Sequence, residues 1–162
     1  MFKKILVPID GSHTSDLGLK EAIKLARGQT AMLCLLHVVD ELVLMPDALG
    51  VPIYVEELFE ALRKGGRKIL ARAEAKVRAQ RLRVKSVLAE KIGGPVADVI
   101  IAQAKKQRAD LIVLGTHGRR GVNRMVMGSD AEGVVRAAPV PVLLVRAKAP
   151  PGPRRKSRGR GR

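Results

Sequence analysis

Five short apolar runs recur along the sequence, separated by longer segments of helical period. They are KILVPI (4–9), AMLCLLHVV (31–39), RVKSVLA (83–89), DLIVLG (110–115) and VPVLLV (140–145). A strand with one solvated face alternates apolar and polar residues, whereas a nearly continuous run marks a strand buried on both faces. The intervening segments carry the other period. Leu17, Ala22, Leu25 and Ala26 share one helical face, and Gly28 is placed to end that helix. A helix over about 56–80 keeps Leu58, Leu62, Ile69, Ala73 and Val77 on one side despite Gly65–Gly66. PVADVIIAQAKKQ (95–107) opens on a proline, where a missing amide proton costs nothing, and Val96, Val99, Ile100 and Ala104 form its apolar stripe. This alternation predicts the α/β class, with a single doubly wound five-stranded parallel sheet.

Ligands of such sheets bind beyond the carboxyl ends of the strands, where the strand order reverses. That rule selects Pro8–Ser12, His37–Asp40, Gly93–Gly94 and the glycine-rich stretch GTHGRRGVNRMVMGS (115–129). The connection 40–56 is long for a compact domain, a length that goes with covering a site.

Length and composition narrow the reading. A chain of 162 residues is one domain with room for a real core. Its aromatics are Phe2, Tyr54 and Phe59, so that core must be aliphatic. Cys34, a lone thiol inside an apolar run, excludes a disulfide framework and reads as a small buried hydrophobe. Two lysines before the first run imitate a signal peptide, but the run stops at Asp10, too soon for one. No run approaches the roughly 18–20 apolar residues of a membrane span. A soluble, cytoplasmic protein without membrane partners is expected.

The net charge is +16, and residues 146–162 carry half of it without a single acid. AKAPPGPRRKSRGRGR has no hydrophobic period, and its proline, glycine and arginine content predicts disorder. The expected organisation is therefore a domain over 1–146 and a basic tail over 147–162. The tail and the basic stripe of residues 63–78 raise a second reading, a nucleic-acid or acidic-partner binding protein acting by counterion release. Solubilisation and an ordinary solvated helix face account for the same residues.

Several nucleotide and metal signatures are missing. There is no P-loop G-x-x-x-x-G-K-S/T, and PIDGSHTS replaces the dinucleotide fingerprint after the first strand. One cysteine and the scattered His13, His37 and His117 make no zinc set. No pair of a general base and a water-positioning group stands out, so an enzyme is not indicated. What remains is the spacing Gly115-x-x-Gly118, nine residues, then Gly128-Ser129. Two readings stay open for it. Gly115 and Gly118 would let backbone approach a ligand, and Gly128–Ser129 would open a helix whose free amides and dipole hold phosphate. Alternatively, Ser129 and Glu132 form an S-x-x-E capping box, and the glycines only shape a turn.

The spacing G-x-x-G-x9-G-S before a terminal PVLLV strand resembles the universal stress protein family. KILVPIDGS at the start and ADLIVLGTHGRRG leading into the motif share that resemblance, which runs over residues 1–146. It implies a Rossmann-like three-layer sandwich, similar to the adenine nucleotide alpha hydrolases, and a regulatory role in a stress response. The intact glycine motif resembles the family's ATP-binding type, which implies ATP with magnesium as ligand. By position, Asp10 resembles the family's acidic residue near the ribose, and Val38 the residue whose backbone faces adenine, with Pro8 and Ile9 beside it. Gly115, Gly118, Gly128 and Ser129 match the phosphate-binding part. Arg119 is placed to close over the phosphates, and Asp130 either repels them or helps to hold a divalent ion. The resemblance further implies a homodimer through strand 140–145, whose own apolar, proline-flanked sequence suits an edge.

Overall fold

The apolar runs form five parallel strands: β1 (Lys4–Pro8), β2 (Met32–Asp40), β3 (Val84–Lys91), β4 (Leu111–Gly115) and β5 (Val142–Val145). A computed structural model describes residues 1–40, 55–91, 93–116 and 127–147. Four helices alternate with the strands: α1 (His13–Gln29), α2 (Val55–Arg78), α3 (Val96–Gln107) and α4 (Ser129–Ala137).

The strand order is β3-β2-β1-β4-β5. The chain moves one way from β1 to β3, then crosses back to β4 and continues to β5. Crossovers of one hand therefore put α1 and α2 on one face and α3 and α4 on the other. The core divides accordingly, because successive strand residues point to opposite faces. Ile5, Val7, Leu33, Leu35 and Val113 pack with Leu19, Ala22, Leu70 and Val77 under α1 and α2. Leu6, Cys34, Leu36 and Ile112 pack with Ile100, Ala104 and Val134 under α3 and α4. The reversal lies between β1 and β4, as a doubly wound sheet requires.

One helix feature differs from expectation, and one expected helix has a packing reason. Gly28 lies inside α1, and the left-handed cap is Thr30 at φ 56°, whose amide donates to the Ala26 carbonyl. A threonine accepts that conformation because the cap satisfies a helix-end carbonyl and leads straight into β2. Gly65–Gly66 do not interrupt α2. A Cβ on Gly66 would stand 2.6 Å from His37 Cδ2 and 2.7 Å from Leu88 Cδ1, so the glycine lets α2 lie close on the sheet. Farther along α2, the Glu74 carboxylate accepts the Ser86 hydroxyl at 2.6 Å, which holds it below the usual carboxylate range and ties α2 to β3.

Cys34 is fully buried on β2, and desolvation raises its thiol pKa, with Lys4 and Lys85 only partly opposing the shift. Alkylation requires thiolate and access, so it should follow opening of the sheet. At pH 8, iodoacetamide should label native protein at least about 100-fold more slowly than urea-unfolded protein. Native labelling at the unfolded rate would contradict this placement of β2.

Candidate functional site

The carboxyl ends of β1 and β4 define the crevice, and local hydrogen bonds shape its walls. Ile9 extends β1 by donating its amide to the Leu36 carbonyl at 2.7 Å. The chain then turns at once. Asp10 Oδ1 accepts the Ser12 amide at 2.9 Å, and Gly11 takes φ +82°, where a side chain would be strained. Ser12 caps α1 by accepting the Ser15 amide at 3.2 Å, while the Ser15 hydroxyl returns to the Ser12 carbonyl at 3.0 Å. This Asp-Gly turn leaves Asp10 half-buried at the strand end.

On the other wall, the two ends of the glycine motif meet. Gly128 N–H donates to the Thr116 carbonyl at 2.9 Å, and Thr116 N–H donates to the Val145 carbonyl on β5 at 3.0 Å. The start of α4 is thus fixed beside the end of β4. Gly128 is the N-cap residue and supplies no side chain to satisfy the first turn. This corrects the capping-box expectation. The Glu132 amide bonds the Gly128 carbonyl, so Ser129 is already the first helical residue, and the Glu132 carboxylate pairs instead with Arg136 at 2.7 Å. Ser129 and Asp130 are exposed at this helix start. The first turn of α4, with the positive end of the helix dipole, consequently lies at an exposed position, an arrangement that favours an anion.

Strand parity sorts the remaining site residues. Pro8 and Val38 share the α3/α4 face, the side on which α4 begins, and both are half-buried. Ile9 points the opposite way, into the core beneath α1 and α2, so it offers the crevice backbone only. Gly115 also faces α1. A Cβ there would lie 2.6 Å from the Thr14 carbonyl carbon and oxygen, and Gly18 of α1 sits against Leu114 and Gly115 in turn. Helix packing alone therefore demands glycine at 115. Gly118 and Arg119 lie outside the described residues, as do His117 and most of the connection 40–56.

Two features escaped the sequence reading. His37 is buried, and its Nδ1 lies 2.6 Å from the Ile9 carbonyl, so that nitrogen carries the proton and braces the end of β1 from β2. The mid-helix Gly66, which makes room for the ring, was its one sequence signal. Lys91, buried at the end of β3, pairs with Asp40 of β2 at 2.9 Å and closes that side of the strand ends. Among the described residues no group of three or more His, Cys, Asp or Glu gathers to hold a metal, and no helix is long and apolar enough to cross a membrane.

A model described as the universal stress protein family matches residues 1–146. The chain is 36% identical over 151 residues to universal stress protein YxiE of Bacillus subtilis, covering 90% of this chain and 100% of that one. It is 37% identical over 149 residues to a universal stress protein of Thermus aquaticus, with 90% and 100% covered. Among solved structures, hypothetical protein MJ0577 superposes at TM-score 0.80 and 27% identity, covering 93% of this chain and 99% of that chain. Universal stress protein UspA of Lactobacillus plantarum gives 0.75 and 28%, with 89% and 97% covered. Three more distant structures share the fold. A universal stress protein in complex with cAMP matches at 22% identity and TM-score 0.66, one from Archaeoglobus fulgidus with dAMP at 23% and 0.63, and one from Arabidopsis thaliana with AMP at 18% and 0.65.

The Gly115 contact has a measurable consequence. Gly115→Ala should destabilise the fold by about 1–3 kcal/mol through overpacking against Thr14. Gly28→Ala, on an open helix surface, should stabilise it by up to about 1 kcal/mol. Urea midpoints measure both, and equal midpoints would remove the α1–β4 contact as a constraint.

Proposed function

The chain belongs to the universal stress protein family, and from that premise we propose that it is a regulatory adenine-nucleotide-binding protein whose ligand is ATP with magnesium. The observation that carries the reading is the Gly128–Thr116 hydrogen bond, which sets an uncapped helix start beside the reversal of strand order. In this arrangement the amides of Ser129 and its neighbours receive phosphate, with Gly128 keeping the approach clear. Asp10 accepts ribose hydroxyls, while Pro8, the Ile9 backbone and Val38 line the base side. The adenine nucleotides in the distant structures support the ligand class.

Magnesium fits this donor set in one way. It favours one or two carboxylates together with phosphate oxygens and water, and Asp130 or Asp10 supplies the carboxylate. The metal would neutralise phosphate charge beside Asp130. Nothing in the described crevice combines a positioned base with a water-orienting group, so the proposed role is ligand-dependent regulation in a stress response, with slow hydrolysis at most.

Dimerisation through β5 belongs to the same proposal. β5 is an edge strand, and Leu143 on it is 38% exposed despite its size. Leu143→Glu should convert a dimer to a monomer in light scattering after size exclusion. An unchanged mass would place the contact elsewhere.

Calorimetry with ATP and magnesium, and mass analysis of nucleotide released from purified protein by denaturation, test the main reading. Asp10→Ala should weaken ATP by about tenfold, the loss of one or two hydrogen bonds. Without magnesium, Asp130→Asn should tighten ATP roughly fivefold, because about 1 kcal/mol of repulsion near the phosphates disappears. No released nucleotide and no heat of binding would overturn the assignment.

A further inference from the structure

The net charge of +16 is distributed by the fold in a way that the sequence conceals. Helix α2 carries a dense run of basic residues, yet most are neutralised on the protein itself. Arg63 is held by Glu56, Glu60 and Glu90, Arg67 by Glu60, Lys76 by Asp16, and Arg78 by Glu74. Lys64, Lys68 and Arg72 remain exposed on it without an ion pair among the described residues. The larger unneutralised group lies at the other end of the sheet from the crevice.

All the strands begin at that end and all the helices finish there. Backbone and side-chain bonds tie the segments together. Met32 N–H donates to the Lys3 carbonyl at 2.9 Å, Leu33 N–H to Arg83 at 2.9 Å, and Asp110 N–H to Lys4 at 2.9 Å. Arg83 reaches the Thr30 carbonyl at 3.3 Å, and Lys85 reaches Gln107 at 3.0 Å. Arg27, Lys105 and Lys106 stand exposed in the last turns of α1 and α3, where a cation complements the helix dipole. That account does not extend to Lys3, Arg81 and Arg83, which sit on strand starts and a turn and are also exposed. The acid of these segments, Asp110, already accepts the Lys3 and Lys4 amides at 2.7 and 3.1 Å. Among the described residues no ion pair neutralises these cations, and like charges on one end of the sheet repel one another.

We propose that this strand-start end of the sheet is a docking surface for the sugar-phosphate backbone of nucleic acid, bound without regard to sequence. The cations form a two-dimensional array across the starts of β3, β2, β1 and β4, roughly 15 Å wide at about 4.8 Å per strand. Such an array matches repeated phosphates rather than one small anion. Sequence-tolerant binding follows from the absence of a stacking platform, since Phe2 is half-buried and packs against the core. A membrane surface would require inserted apolar groups, and across the starts of β3, β2, β1 and β4 the one large exposed hydrophobic among the described residues is Met1, with Val135 set apart in the last turn of α4. The surface is separate from the nucleotide crevice, so either assignment can fail without the other.

The test is fluorescence anisotropy of a labelled mixed-sequence DNA duplex with the full chain across a salt series. One variant combines Arg27→Gln, Arg81→Asn, Lys105→Gln and Lys106→Gln. A control combines Lys64→Gln, Lys68→Gln and Arg72→Gln. Both keep the basic tail, and thermal melts and circular dichroism confirm that each is folded. The first variant should lower the slope of log affinity against log salt by about three to four, and weaken binding at least about tenfold at 50 mM salt. The control should change affinity by less than about twofold. Wild-type affinity and slope in the first variant, or an equal loss in the control, would overturn the proposal. So would wild-type binding to phosphatidylserine vesicles but not to DNA.

Discussion

Five parallel strands must be joined by crossovers of one hand, and this constraint orders the rest of the molecule. Each helix runs back against the strands, so the helix starts collect at one end of the sheet and their finishes at the other. The first end gains free amides and positive dipole ends beside the reversal between β1 and β4. The second gains carbonyl ends, the cations that complement them and the strand-start cations beside them. The crevice proposed for nucleotide and the basic surface proposed for nucleic acid lie at opposite ends by one topological rule, provided that side chains of suitable chemistry occupy both.

Close packing then fixes the crevice. Helix α1 approaches β4 so tightly that neither Gly18 nor Gly115 has ordinary room for a methyl group, and Gly66 brings α2 down onto His37 in the same manner. His37 transmits that packing to the backbone by bonding the Ile9 carbonyl. The strand end that carries Asp10 is therefore braced from β2, while the start of α4 is pinned from β4. Both walls rest on short backbone-anchored bonds rather than on long flexible side chains, which suits a site meant to be preformed.

Much of this architecture was legible in the sequence because it depends on local signals. Continuous apolar runs declared strands buried on both faces, and Pro95 marked a helix start within one residue. The glycine spacing around 115–129 carried the family resemblance. Local signals failed where two segments compete for one role. Ser129 and Glu132 have capping-box spacing, but the Thr116 carbonyl captures the Gly128 amide, shifting the cap back by one residue. Gly28 is a sound helix stop by propensity, yet α1 continues to Gln29 because Thr30 closes it with a bond to Ala26. The basic stripe of α2 looked available for a partner until Glu90, from a different strand, joined its own Glu56 and Glu60 around Arg63.

The sequence by itself determined the class of fold, the strand and helix order, the aliphatic core and the glycine-rich stretch that marks the candidate site. Each is written in the period and identity of neighbouring residues. Tertiary structure alone decided that Gly115 serves packing against Thr14, that His37 braces Ile9, and which cations lack an ion pair among the described residues. Those outcomes depend on distances between residues far apart in the chain, and they exist only once the parallel register has been set.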